Sequence, residues 1–446
     1  MADAGKPTVE GASMKIKFRI LISVVLLSVL GPAQSLDDNV YAARRQHLRS
    51  MIHGQAILHS GSEETIGLDK NFYYLSGVAL SDAFMLLNSS TGMDMLFIDP
   101  TKTPMSVAEI IQTSGIAAIY LRDQIGMFLA DHLASDPDVY FPSAYSPSDP
   151  GYLYPDCLVI EQLVNGLPYC HKRDLSEFLY PLRMVKDQGE MTLIKQAVAI
   201  TKRGVLAGIA ALRPGLYEYE IQQTIEDTFQ ALGAPRTSFA SIIGSGPNSL
   251  VLHYFENSRK MEAGDVVVMD VGAEYGRYAG DITRTAPVSG QFTPRQREVY
   301  EIVLEIQRRV FAACRPGVTL LDLNNVAKAC ATEKGYGAYF NFSGWRHSTC
   351  HSLGLDAHDP FTSGRPLAAG MVITVEPGIY LPAENLGVRI EDDVRITENA
   401  GVVLTADVPR EAAEIEAVMA GRFRPDARGN SKREVISPPA RRKVKR

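Results

Sequence analysis

The sequence predicts an α/β (α+β) chain in two parts. An N-terminal α/β domain covers residues 39–180, and a C-terminal domain with a pseudo-twofold internal duplication covers 181–421. Three observations predict this. Strand-like and helix-like stretches take turns through the first part, the pattern of a layered α/β domain. The character changes at Leu182-Arg183-Met184-Val185-Lys186, where a long helical period begins. The second part then repeats itself once, at a spacing too long for a solenoid.

A chain of 446 residues suits two domains rather than one. Its 46% hydrophobic and 22% charged residues are those of a soluble globular protein. A net charge of -6 gives no global basic character, so no nucleic-acid partner is expected. The cysteines, Cys157, Cys170, Cys314, Cys330 and Cys350, contain no Cys-x-x-Cys pair and form neither a zinc nor a disulfide framework. Whether Cys157 and Cys170 pair in an oxidising compartment stays open.

Residues 1–38 read as a signal peptide with a disordered lead. Lys15, Lys17 and Arg19 precede the apolar run Ile20–Leu30, and small residues follow at Gly31 and Ala33. That is the layout of an export signal. The run is short of the roughly 20 apolar residues a membrane span needs. Export to the periplasm or outside is the expectation, with a weak membrane anchor or a cytoplasmic core segment as alternatives. A start at Met14 makes the layout more typical.

In the first domain, Arg44–Met51 is helical and polar. Gln55–Ser60, Ala83–Asn88 and Met95–Asp99 read as strands, with an aromatic stretch at Phe72–Gly77. Ser106–Gln112 and Gln124–Leu133 read as helices. Tyr140–Pro155, rich in Pro, Ser, Asp and Tyr, reads as a loop. A helix is expected over about Gln188–Leu212, with Ile194, Ala197, Val198, Val205 and Ile209 on related faces, stopped by Arg213-Pro214-Gly215. Residues 422–446 form a basic tail, expected to be disordered.

The duplication carries the chemistry. Ala-Ala-Leu-Arg-Pro-Gly at 210–215 recurs as Ala-Ala-Cys-Arg-Pro-Gly at 312–317, an offset of 102, and Gly233 and Gly335 keep it. Gly264-Asp-Val-Val-Val-Met-Asp270-Val-Gly272 matches Gly370-Met-Val-Ile-Thr-Val-Glu376-Pro-Gly378 at 106, and Asp281 falls opposite Glu391 at 110. His253 falls opposite His358 at 105. Each half thus brings an acidic strand end, an acidic return strand and a histidine. Asp270 ends the strand Val266–Val271, and Asp281 lies within a return strand from Tyr278 to Thr285. Unpaired charges are costly there, so the two carboxylates either share a cation or satisfy turn amides.

With His351 from the His347-Ser-Thr-Cys-His351 stretch, the candidate donor set is Asp270, Asp281, His351, Glu376 and Glu391. One imidazole with four carboxylates is too acidic for a structural zinc site. It suits two divalent ions roughly 3.5–4 Å apart. Oxygen-rich ligation favours harder metals, Mn²⁺ first, with Co²⁺ or Zn²⁺ as alternatives.

Ile243-Gly-Ser-Gly, Leu252-His253-Tyr254, Met269-Asp270-Val-Gly, Ala279-Gly-Asp281-Ile-Thr-Arg-Thr, His351-Ser-Leu-Gly-Leu-Asp-Ala-His358-Asp359, Val375-Glu376-Pro-Gly-Ile-Tyr and Val388-Arg389-Ile-Glu391-Asp resemble the pita-bread metallopeptidases. Among these the chain looks most like Xaa-Pro aminopeptidase (aminopeptidase P), with Xaa-Pro dipeptidase (prolidase) next. The resemblance covers about residues 40–420, including an aminopeptidase-P-like N-terminal domain, and all five ligand positions are filled. It implies the following roles. Asp270 chelates one ion, His351 and Glu376 the other, and Asp281 and Glu391 bridge. A bridging hydroxide attacks the carbonyl before proline, with Glu376 as proton shuttle. His253 and His358 hold the scissile carbonyl or oxyanion. Arg389 orders the ligand shell or meets a substrate carboxylate, and His347 borders the pocket. Peptides beginning Xaa-Pro are the implied substrates, and a homo-oligomer, dimer or tetramer, the implied assembly.

The bland readings stand beside these. His347 could be a packed core histidine, and Arg389 beside Glu391 a simple ion pair. His53, His59, His132, His171 and Cys350 read as surface or packing residues. A prolidase, a creatinase-like hydrolase and a non-catalytic pita-bread binding protein are the competing functions. The complete ligand set argues against the last two.

Overall fold

In the computed structural model, the described residues are 36, 38–61, 68–133, 136–142, 155–167, 169–341, 348–362 and 364–423. His347 and most of the expected export signal and basic tail lie outside them, but Leu36 is buried in the core, Asp38 begins the first helix and Phe423 packs against the core, so order extends into both ends expected to be disordered. The described residues form one compact unit. Among the described residues no helix is long and apolar enough to cross a membrane.

The chain opens with α1 (Asp38–Met51), β1 (Gln55–His59), α2 (Lys70–Ser76), β2 (Phe84–Asn88), β3 (Asp94–Ile98), α3 (Val107–Ser114), β4 (Ala118–Leu121), α4 (Ile125–Leu133), β5 (Asp138–Phe141), α5 (Pro155–Asn165), β6 (His171–Asp174) and α6 (Ser176–Met184). These six strands make one mixed sheet in the order β4-β3-β2-β1-β5-β6. The antiparallel pairing Ala56↔Leu87 and Leu58↔Met85 sets its register. Period-2 alternation divides the apolar residues between two faces. Ala56, Leu58, Met85, Leu87, Leu96 and Ile98 face a core shared with α1–α3 and the second part of the chain. Ile57, Phe84, Leu86, Met95, Phe97 and Val139 face a second core with α4 and α5.

The second part runs α7 (Gln188–Ala211), α8 (Glu218–Ala231), β7 (Arg236–Thr237), β8 (Ile242–Ser245), β9 (Val266–Val271), β10 (Ala273–Tyr275), β11 (Tyr278–Ala279), β12 (Ile282–Pro287), α9 (Pro294–Ala313), α10 (Leu320–Glu333), β13 (Val372–Val375), β14 (Gly378–Leu381), β15 (Leu386–Arg389), β16 (Asp392–Ile396), β17 (Gly401–Val403) and α11 (Ala412–Met419). The duplication is physical. A helix pair precedes each acidic hairpin: α7 and α8 before β9–β12, then α9 and α10 before β13–β16. β9 pairs antiparallel with β12, and β13 with β16. Gly215 and Gly317, after the repeated Arg-Pro, sit at φ +90° and +85°, where only glycine is comfortable. Capping boxes start the first helix of each half: Asp187 with Glu190 on α7, Thr293 with Gln296 on α9.

The expected strands and helices fall close to observed ones, with corrections. Tyr140 and Phe141, read as loop, are the end of β5. The short strands β4 and β6 went unread; β6 is His-Lys-Arg-Asp, exposed along its length, with no alternation to see. Its polar edge discourages pairing with other chains. Asp281 does not lie within a strand. It sits in the break between β11 and β12, where Gly280 interrupts the ladder. The expected boundary at 180–181 lies inside α6. No disulfide joins Cys157 and Cys170.

Candidate active site

The two hairpins meet along β12 and β15–β16. On β12 the alternation Thr283-Arg284-Thr285 sends the threonines one way and the arginine the other. Thr283 Oγ1 donates to Glu391 Oε2 at 2.6 Å, and Thr285 Oγ1 to the Arg389 carbonyl at 2.8 Å. Arg284, fully buried, pairs with Asp392 at 2.7 Å. The Glu391 amide donates to the Thr283 carbonyl at 3.1 Å. These contacts place the acidic ends of both halves together.

His351 stands at the centre of them. Its Nε2 lies 3.7 Å from Asp281 Oδ2, 3.4 Å from Glu376 Oε1 and 3.8 Å from Glu391 Oε1. One ligand atom each from Asp281, His351 and Glu391 falls within 4.8 Å of the others. His351 Nδ1 lies 3.1 Å from the Ser352 carbonyl, which fixes the tautomer that turns the other nitrogen to the carboxylates. Thr374 Oγ1 accepts from the His351 amide at 3.2 Å.

Asp270 is approached from another side. Arg389, fully buried, donates Nη2 to Asp270 Oδ2 at 2.7 Å and Nη1 to the Tyr380 hydroxyl at 3.0 Å. Its contacts are thus with the acidic shell. His358 lies beside His351, ring centroids 4.2 Å apart and planes tilted by 57°. His253 is exposed, its ring parallel to Phe255 at 6.0 Å. The preceding Leu252 carbonyl takes a weak contact from Arg389 Nη2 at 3.5 Å.

The electrostatics are those of a cation site. Burial above all, then the charges of Glu391 and Asp270, push the Asp281 carboxyl well above the usual range. Burial, then Asp270, does the same for Glu376 against the opposing pull of Arg389. Burial, then Glu376 and Asp270, raises Glu391. Among the described residues, the buried atoms Asp270 Oδ1, Asp281 Oδ1 and Glu391 Oε1 have no hydrogen-bond partner. Carboxylates that served turn amides would be satisfied; these are not. The orphaned oxygens and the nitrogen-plus-carboxylate donors fit divalent cations.

Sequence reasoning missed Asp393. It is fully buried, its Oδ2 accepts the Asp281 amide at 3.3 Å, and its Oδ1 lacks a partner among the described residues. Its signal was the Glu-Asp-Asp run at 391–393. Thr283 was quoted within a motif, but its role as the partner of Glu391 was missed. Cys350 is fully buried, and burial pushes its thiol well up, as a packing residue requires.

Residues 192–398 match the description of metallopeptidase family M24. The chain is 39% identical to Xaa-Pro aminopeptidase of Haemophilus influenzae over 59% of this chain and 66% of that protein. It is 30% identical to Xaa-Pro aminopeptidase 3 of Mus musculus over 86% of each, and 40% identical to Xaa-Pro dipeptidase of Pyrococcus furiosus over 52% of this chain and 66% of that one. For Xaa-Pro aminopeptidase of Escherichia coli the matched share of the relative is 62%. The chain therefore spans just under two thirds of the two bacterial aminopeptidases. Among solved structures, zinc-substituted E. coli aminopeptidase P in complex with product superposes with a TM-score of 0.75 at 28% identity, over 88% of this chain and 100% of that one. Pseudomonas aeruginosa aminopeptidase PepP gives 0.76 at 28%, over 87% and 99%.

Proposed function

The chain belongs to metallopeptidase family M24, and from that premise we propose that it is a dinuclear-metal-dependent exopeptidase that removes the N-terminal residue from peptides with proline in second place. The observation that carries this reading is the convergence of Asp281, Glu376 and Glu391 on His351 Nε2, from both halves of the duplication. Asp270, Asp281, His351, Glu376 and Glu391 would together hold the two ions. When bound, the ions would polarise the scissile carbonyl and lower the pKa of the attacking water. Mn²⁺ is the proposed metal, since carboxylates outnumber nitrogen and sulfur donors.

The chain's own residues then have distinct tasks. Glu376 takes the proton released by the water and returns it to the proline nitrogen. His358 and His253 donate to the carbonyl oxygen as charge develops there. Arg389 aims Asp270 through their 2.7 Å contact, and its burial leaves it no task at the far end of a substrate. The names of the relatives support the Xaa-Pro preference, and the Pyrococcus relative supports Xaa-Pro dipeptidase as the second reading. We also propose a homo-oligomer and, from the Ile20–Leu30 run, export.

Hydrolysis of an Xaa-Pro dipeptide and an Xaa-Pro-Yaa tripeptide with added Mn²⁺, alongside Asp281→Ala, tests this. Tripeptide cleavage that is lost in the variant is the expected result. Dipeptide-only cleavage would select prolidase, and turnover of neither would overturn the substrate assignment.

A further inference from the structure

Two buried cations stand at the end of α6 and just before α7, outside the donor set. We propose that Arg183 and Lys186 are positioning residues: by gripping Asp359 they fix the loop 351–359 that presents His351 and His358. The inference rests on the reading of that loop as part of the active site.

Arg183 Nη2 donates to Asp359 Oδ1 and to Asp356 Oδ2, both at 2.7 Å, and Nη1 donates to Asn71 Oδ1 at 2.7 Å. Lys186 Nζ donates to Asp359 Oδ2 at 2.9 Å and to the Arg183 carbonyl at 2.7 Å. Each oxygen of Asp359 therefore carries its own cation. All three side chains are buried, at 2%, 1% and 1% exposure for Arg183, Lys186 and Asp359. Burial pushes the Asp359 carboxyl up, but Arg183 and then Lys186 outweigh it and hold the group below the usual range.

Asp359 in turn closes the loop. Its amide donates to the Ser352 carbonyl at 3.0 Å, and its Oδ1 accepts the Asp356 amide at 3.2 Å. Gly354 lies against it so closely that a Cβ there would come within 2.6 Å of the carboxylate carbon. His358 directly precedes Asp359 in the chain, and its ring packs at a tilt beside that of His351. The gripping residues come from α6 and the segment after it, and Asn71 from α2, so a displacement of that junction is transmitted to His358. Removing one partner of a buried ion pair leaves the other uncompensated, so the loop should loosen where the grip is broken.

Hydrogen–deuterium exchange on chelated protein tests this without turnover. In Arg183→Gln, exchange over 351–359 should rise about tenfold while 266–287 stays as in the parent, and Arg183→Lys should fall between. Unchanged exchange in 351–359, or an equal rise in both segments, would overturn the proposal. A cycle with His358→Ala adds a second readout. Arg183→Gln should lower kcat about tenfold in the parent and by a smaller factor in His358→Ala, because part of its effect runs through His358 and the rest through His351. Additive losses would contradict that route. If the parent cleaves no Xaa-Pro peptide, the functional reading fails and the exchange result still decides this one. If Arg183→Gln does not fold, Gly354→Ala presses directly on the same carboxylate, and the same exchange pattern is expected.

Discussion

Arg389 shows why single residues in this site act on stability and chemistry together. It is fully buried, and its charge is balanced by Asp270 at 2.7 Å. Arg389→Met would leave Asp270 buried without its cation, at a cost on the order of 3–5 kcal/mol in chelated protein. Added divalent metal should recover part of that loss, because it supplies the missing positive charge. Thermal melts of parent and variant, with and without Mn²⁺, measure this. Equal losses in both conditions would mean that Asp270 faces no metal. Thr283 offers a milder probe. Thr283→Val keeps the shape and removes the 2.6 Å bond to Glu391, so metal affinity or activity should fall about 10–100-fold. Calorimetric metal titration reads that directly, and an unchanged affinity would place Glu391 outside the metal shell.

Among the elements, the acidic hairpins are held by close approaches that the sequence marks with glycine. A Cβ on Gly387 would come within 2.0 Å of the Ser249 carbonyl oxygen, a backbone atom that cannot step aside. Gly387→Ala should therefore destabilise the β14–β15 hairpin by about 1–3 kcal/mol and lower the melting midpoint. The junction of α1 with α7 has a pH signature. Burial pushes the Glu190 carboxyl up from 4.5 to about 6, although Arg44 pulls it down. A raised folded-state pKa means that the native chain holds a proton which the unfolded chain has released. Glu190 thus favours folding below 4.5, and that contribution fades as pH rises through about 6. Glu190→Gln should flatten that part of the denaturant midpoint against pH, and an unchanged slope would assign it to other groups.

The duplication made much at this scale legible. Repeated Arg-Pro-Gly turns and acidic strand ends survive because they meet the same backbone and chemical needs twice. The short strands did not show. β6 is chosen by its ladder with β5 and not by side-chain pattern, a tertiary override of local preference. The break at Gly280 that frees Asp281 was hidden because Tyr278–Thr285 reads as one continuous strand. Asp393 was hidden for another reason: a third acidic residue in a run reads as solvated surface, and only its burial changes that.

Across the whole molecule, one core links the six-stranded sheet to the duplicated part, so the N-terminal strands and the metal-site hairpins share packing. The clamp of Arg183 on Asp359 and the pair of Arg44 with Asp187 at 2.7 Å cross the same junction. Both halves of the duplication are proposed together to hold two divalent ions for Xaa-Pro hydrolysis. Titrating chelated protein with Mn²⁺ while following release of the N-terminal residue from an Xaa-Pro-Yaa tripeptide tests it most directly. Activity should appear with metal and reach its plateau at two equivalents per chain, with Asp281→Ala inactive throughout. Full activity in chelator, or two bound equivalents without cleavage, would contradict it.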